Sequence, residues 1–348
     1  VNILFRVDAS SQMGTGHLVR CFALAQALDQ VEIRSIFLVD TQTQAFLEKL
    51  PCFDFQYITL EDAKSTTEVT QCAEQFNTDV LVIDGYHFST EYRLALKQNG
   101  LYMVAIDDNN DLGELHASII VNPSVYKANT PNYPKQGVKL LTGENYRLLR
   151  QEITGQLPVT WSKRSGIAII LGGSDPRALT LPVTISLIKV LNQQGISPDV
   201  NVIIGAAVSE QAELIKQLSS LKSDYPYLCW SINPPNIASI LANKQLVISA
   251  AGGTQFELFA LATPAILLAA YENQIANSQI AAEQGWAKVI NVGAEFDELI
   301  FERVCKDVLN ASALKGMHDK TDHYGDEGAL NCALAIKSEF FLKPPTLK

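Results

Sequence analysis

The chain has 348 residues, 47% hydrophobic and 18% charged, a core-forming composition with room for two domains and unlike that of a disordered chain. Its 27 Lys and Arg against 37 Asp and Glu give a formal net charge of −10, which argues against general affinity for nucleic acid or an anionic membrane. Short apolar runs then alternate with helical patterns, the mark of a parallel sheet covered on both faces. The first half predicts strands at Asn2–Val7, Arg34–Val39, Val80–Asp84, Tyr102–Asp107 and Ser118–Val121, with helices over 16–29, 41–50, 66–77 and 89–99. A polar stretch from Gln151 to Gly166 reads as a linker. After it the pattern restarts, with strands at Ile167–Leu171, Asp199–Ile204, Leu228–Ile232, Leu246–Ser249, Ala265–Leu268 and Ala287–Asn291. Helices fit 177–194, 208–220, 236–243, 253–262, 273–284 and 297–313, and a last one fits Ala329–Leu342.

This pattern predicts an α/β protein of two doubly wound, Rossmann-like domains facing each other across a cleft: residues 1–155, residues 165–325, and a C-terminal helix and tail over 326–348. Ligands of such folds sit beyond the carboxyl ends of the strands. The six cysteines form no CxxC pair and no zinc spacing, so they are expected as scattered thiols. No run reaches the roughly 18 apolar residues of a membrane span. The chain start lacks a basic segment followed by an apolar one, so the expected location is the cytoplasm, without membrane contact.

Three turns carry the chemistry. In Val7-Asp8-Ala9-Ser10-Ser11-Gln12-Met13-Gly14-Thr15-Gly16-His17, a strand runs through two glycines into a helix, with His17 in its first turn and Arg20 on the same face. The glycines allow close backbone approach to a ligand, and the helix N-terminus favours a neutral imidazole that can accept a proton. A dinucleotide fingerprint fails here, because Val19 stands where the third glycine belongs. Leu171-Gly172-Gly173-Ser174-Asp175-Pro176 is a second strand-to-helix turn suited to an anion, without the P-loop lysine. The third, Gly252-Gly253-Thr254, is followed one helical turn on by Glu257, a carboxylate able to accept both hydroxyls of a ribose. Tyr271-Glu272-Asn273-Gln274 follows the next strand. Asp84-Gly85-Tyr86-His87 and Asp107–Asp111 also follow strands of the first half. The acidic run, and the polar segment with His318, Asp319, Asp322 and His323, are read as solvated turns and not as metal sites.

Asp8-x-Ser10-x-x-x-Gly14-x-Gly16-His17-x-x-Arg20-Cys21 resembles the opening motif of the UDP-sugar hydrolases of pseudaminic acid biosynthesis, to which spore-coat polysaccharide biosynthesis proteins are related. The resemblance continues through Asp84-x-Tyr86, Asp107-Asp108, Tyr146-x-Leu148-Leu149-Arg150-x-Glu152, Gly172–Pro176, Gly252–Thr254, Glu272-Asn273-Gln274 and Asp326-x-Gly328-Ala329. Gly85 departs from members that carry histidine there. The resemblance implies a GT-B-like fold. It also implies hydrolysis of a UDP-linked 2,4-diacetamido-2,4,6-trideoxy sugar to UDP and free sugar, by water attack at the anomeric carbon with inversion. It makes His17 the base and puts Tyr86 and Asn273 near the sugar and phosphates. Glu257 and the Asn233–Ile237 loop then hold ribose and uracil. The substrate side is expected at Asp8, Gly14, Gly16, Arg20, Tyr86, Asp107 and Asn273. The nucleotide side is expected at Gly172, Gly173, Ser174, Ile237, Gly252, Gly253, Thr254, Glu257, Asn273 and Gln274. No cofactor or metal is expected, and the chain is expected to act as a monomer. A UDP-sugar-dependent GT-B glycosyltransferase and a non-catalytic nucleotide-binding protein are the alternatives.

Overall fold

Two parallel sheets organise the chain. The computed structural model describes residues 1–10, 13–108, 113–124, 133, 137–321 and 327–341, with Asn273 described by its backbone alone. In the first lobe the order is β1 (Asn2–Val7), α1 (Gly16–Gln30), β2 (Arg34–Val39), α2 (Thr41–Leu47), β3 (Gln56–Thr59), α3 (Thr66–Gln75), β4 (Val80–Asp84), α4 (Thr90–Gln98), β5 (Tyr102–Ile106), β6 (Ile119–Asn122) and β7 (Lys139–Thr142). The short α5 (Gln151–Thr154) opens the connection to the second lobe. There β8 (Ile167–Ile170), α6 (Thr180–Gln194), β9 (Val200–Ile204), α7 (Gln211–Asp224), β10 (Leu228–Ile232), α8 (Ile237–Ala242) and β11 (Leu246–Ala250) follow. Next come α9 (Thr254–Ala260), β12 (Ala265–Ala269), α10 (Glu272–Gln284), β13 (Ala287–Asn291), α11 (Glu298–Val308), α12 (Ala311–His318) and α13 (Gly328–Phe340).

The sheet orders are β3-β2-β1-β4-β5-β6-β7 and β10-β9-β8-β11-β12-β13. In register, Leu4 of β1 lies between Ile36 and Leu81. Central strands are buried on both faces, so their sequences read as continuous apolar runs. Each sheet has an apolar cluster on either side. In each sheet the winding reverses beside the first strand, between β1 and β4 and between β8 and β11. A crevice opens there at the carboxyl ends of the strands. The turns after β1, β4, β8 and β11 carry Gly14 to His17, Tyr86, Gly172 to Ser174 and Gly252 to Thr254. The topology therefore accounts for why these separated motifs converge.

The differences from the sequence expectations are local. Strands β3 and β7 were not expected; both are four residues long, mostly incompletely buried and at sheet edges, so they lack an apolar run. The helix expected over 297–313 is two helices, because Asn310 caps α12 by accepting a hydrogen bond from the Ala313 amide at 2.8 Å. Helix α6 starts at Thr180 and not at 177, with the Asp175 carboxylate accepting from the amides of Leu179 and Thr180 at 2.9 and 2.8 Å. The last helix is not an appendage. Its Ala329, Cys332, Ala333 and Ile336 belong to the first lobe's core, and Lys337 donates to the Val31 carbonyl at 2.8 Å. The expectations on Asn109 to Asp111, Asp322, His323, Asp326 and the tail after residue 341 lie outside the described residues. Among the described residues no helix is long and apolar enough to cross a membrane.

Candidate active site

The two crevices face each other and merge into one cleft of about 650 Å3. Gly14, Gly16, His17, Arg20, Tyr86 and Asp108 line it from the first lobe. Gly172, Gly173, Ser174, Ile237, Gly252, Gly253, Thr254, Glu257 and Gln274 line it from the second. The lobes touch at its edges. A Cβ on Gly173 would lie 2.0 Å from Thr15 Oγ1, so only glycine allows this approach. Asn277 donates to Ser124 Oγ at 3.2 Å, and Asn233 donates to the Lys49 carbonyl at 2.5 Å.

His17 sits in the first turn of α1, and its Nδ1 lies 2.8 Å from Oδ1 of Asp84, the last residue of β4. A carboxylate facing Nδ1 fixes the ring proton there and leaves the Nε2 lone pair for another proton. Arg20 donates to both Asp84 oxygens, through Nε at 2.6 Å and Nη2 at 2.7 Å, and through Nη1 to both Asp108 oxygens at 2.8 and 3.0 Å. Tyr86 donates its hydroxyl to Asp108, and its ring stands edge-on to His17 at 4.6 Å. Burial alone would push the Asp84 carboxyl up, but Arg20 and His17 outweigh it and hold the group well below the usual carboxylate range. The same contest, with Arg20 and Tyr86 as partners, lowers Asp108. Asp84 is thus a fixed anion behind His17. The sequence sets Asp84 at a strand end and at the head of the Asp84-x-Tyr86 match but gives it no role of its own; a charged residue closing a fully buried strand at the reversal point is the signal for one.

Across the cleft lie amide-rich turns. Gly172 adopts a left-handed φ of 81°, and Ser174 and Asp175 are buried. Gly252 and Gly253 precede α9, whose first turn bears Glu257. Arg150 donates to Glu257 Oε1 through Nη2 at 2.8 Å and Nε at 3.3 Å, and its Nη1 pairs with Glu152. Gln274 accepts from the Ala270 amide at 2.9 Å, and its Nε2 would lie 3.9 Å from a Cβ on Gly252.

Two expected residues fall elsewhere, and a third is described only by its backbone. Asp8 does not line the cleft; its carboxylate is taken by Arg6 at 2.5 and 2.7 Å and by His87 Nε2 at 2.8 Å, so it braces the turn from beneath. Asp107 is fully buried and accepts from Tyr133, while its neighbour Asp108 faces the cleft. The backbone of Asn273 lies in the first turn of α10, and its side chain is outside the described residues. Among the described residues no three His, Cys, Asp or Glu side chains are grouped to hold a metal ion.

No family model matches the chain. It is 24% identical over 284 residues to an uncharacterized protein of Methanocaldococcus jannaschii, covering 79% of this chain and 56% of that one, so it spans little more than half that relative's length. It is also 24% identical over 257 residues to the UDP-2,4-diacetamido-2,4,6-trideoxy-beta-L-altropyranose hydrolase of Campylobacter jejuni, covering 72% of this chain and 85% of that enzyme. Among solved structures, Acinetobacter baumannii MurG superposes with a TM-score of 0.62 at 16% identity, over 97% of this chain and 99% of that one. S. aureus MnaA, in a co-structure with UDP, gives 0.65 at 12% identity, over 97% and 96%. The fold is GT-B. The resemblance to the hydrolase is thus carried by sequence over most of the chain, and the two-lobed architecture by structure.

Proposed function

We propose that the protein is an enzyme acting on a UDP-sugar, and that it hydrolyses a UDP-linked 2,4-diacetamido-2,4,6-trideoxy sugar to UDP and free sugar. On the hydrolase resemblance, the product serves nonulosonic (pseudaminic) acid synthesis in the cytoplasm. The observation that carries the reading is His17, with Nδ1 held by a buried carboxylate, on the cleft wall opposite two glycine turns. Water attacks the anomeric carbon as His17 Nε2 takes its proton. The bond from that carbon to the diphosphate oxygen breaks, its electron pair leaves with UDP, and the configuration inverts. General-base assistance of this kind contributes on the order of 10²–10⁴ in rate.

The amides around Gly172, Gly173, Gly252 and Thr254 offset the charge growing on the diphosphate. Glu257 accepts the ribose hydroxyls, and the loop ending at Ile237 receives the uracil. Asp108 is already bound to Arg20 and Tyr86, and Asp107 to Tyr133, so charge compensation falls to the amides. The test is a panel of UDP-sugars incubated without an acceptor and with excess EDTA, followed by NMR. UDP and free sugar are expected from an N-acylated deoxy sugar. UDP release only with an added acceptor would identify a glycosyltransferase instead.

A further inference from the structure

The motif Tyr146-x-Leu148-Leu149-Arg150-x-Glu152 has no part in the chemistry described so far, yet it delivers a cation to the nucleotide side of the cleft. Arg150 immediately precedes α5, in the segment joining the two lobes, and lines the cavity. Its side chain is only 10% exposed, as is that of Glu257 on α9. Two guanidinium nitrogens converge on Glu257 Oε1, at 2.8 and 3.3 Å, and the third nitrogen is taken by Glu152. Oε2 of Glu257 has no hydrogen-bond partner among the described residues.

We infer that Arg150 is a positioning residue for nucleotide recognition, holding Glu257 by one oxygen so that the other is presented to the ribose hydroxyls. The inference rests on the reading that Glu257 receives the ribose. A planar guanidinium suits the task, because a fork anchored on Glu152 fixes the direction of the remaining nitrogens. Burial disfavours the Arg150 cation, but Glu257 and Glu152 outweigh it and keep the charge in place. Without that cation, two carboxylates would share a poorly hydrated corner, and Glu257 would turn from the geometry that accepts two hydroxyls.

The experiment is calorimetric binding of UDP and of 2′,3′-dideoxy-UDP, which lacks both ribose hydroxyls, to the full chain. Wild type is expected to favour UDP by about tenfold to a hundredfold, the range for hydrogen bonds to a charged group. Equal wild-type affinity for the two would overturn the ribose reading itself, and this inference with it. Given wild-type discrimination, Arg150→Gln is expected to bring the ratio of the two affinities near one, Glu257→Gln to do the same, and the double variant to lower it no further. A merely structural role weakens both ligands together and keeps the wild-type ratio, and that result would overturn the inference alone. Arg150→Lys keeps the charge without the fork and serves where Arg150→Gln does not fold. An intermediate ratio supports the inference, and a wild-type ratio overturns it.

Discussion

The imidazole of His17 and the carboxylate of Asp84 are 67 residues apart and meet because β1 and β4 are neighbours, pairing Val7 with Asp84. Asp84→Asn keeps the shape of this contact but removes the anion that stabilises a protonated ring. It is expected to lower kcat by about 10²-fold or more, toward the floor reached by His17→Asn, with the double variant no lower. Additive losses in steady-state kinetics would show that the two residues do not act as a unit. Three carboxyls, the buried Asp8 and Asp84 and the partly exposed Asp108, are held below their ordinary values in the folded protein. The unfolded chain therefore binds more protons as acid is added. Their contribution to stability is full above about pH 5 and is lost as the pH falls below about 4, toward the lowered folded values. Urea midpoints that do not move between pH 5 and pH 3 would contradict this. At this scale the glycine turns and His17 were legible in the sequence. The pairing of Asp84 with His17 was not, because it depends on strand register. The expectation of Asp107 at the cleft misses by one residue, because neighbouring residues face opposite ways and the sequence does not say which faces in.

Among the elements, the central strands were legible because burial on both faces imposes an apolar run. Edge strands β3 and β7 escaped because exposure removes that constraint. The break between α11 and α12 had a readable signal in Asn310, a capping residue set inside an otherwise helical pattern. The docking of α13 had none. Its apolar face was visible, but its partner, α1, lies at the other end of the chain. Helix α1 carries both His17 and Arg20, so α13 supports these two side chains from behind. Ile336 is fully buried in that contact. Ile336→Ala is expected to lower the unfolding free energy by about 2–5 kcal/mol, the range for truncating a buried aliphatic side chain. Equilibrium urea unfolding measures it, and a loss below about 1 kcal/mol would mean that α13 contributes little to the first lobe's core.

At the scale of the molecule, the same winding used twice sets two crevices mouth to mouth, one with an imidazole oriented by a carboxylate and one with amide-rich turns. The division into two Rossmann-like lobes followed from the repeated alternation of strand and helix. The close approach at Thr15 and Gly173 did not, because it depends on how the lobes pack. The central claim is that this cleft delivers water to carbon. The measurement that tests it most directly is turnover of the UDP-sugar in ¹⁸O-enriched water, read by mass spectrometry of both products. With His17 activating water behind the anomeric carbon, the label is expected on the anomeric oxygen of the sugar, with UDP unlabelled. Label in UDP would mean attack at phosphorus, contradicting the role given to His17 and the geometry built around it.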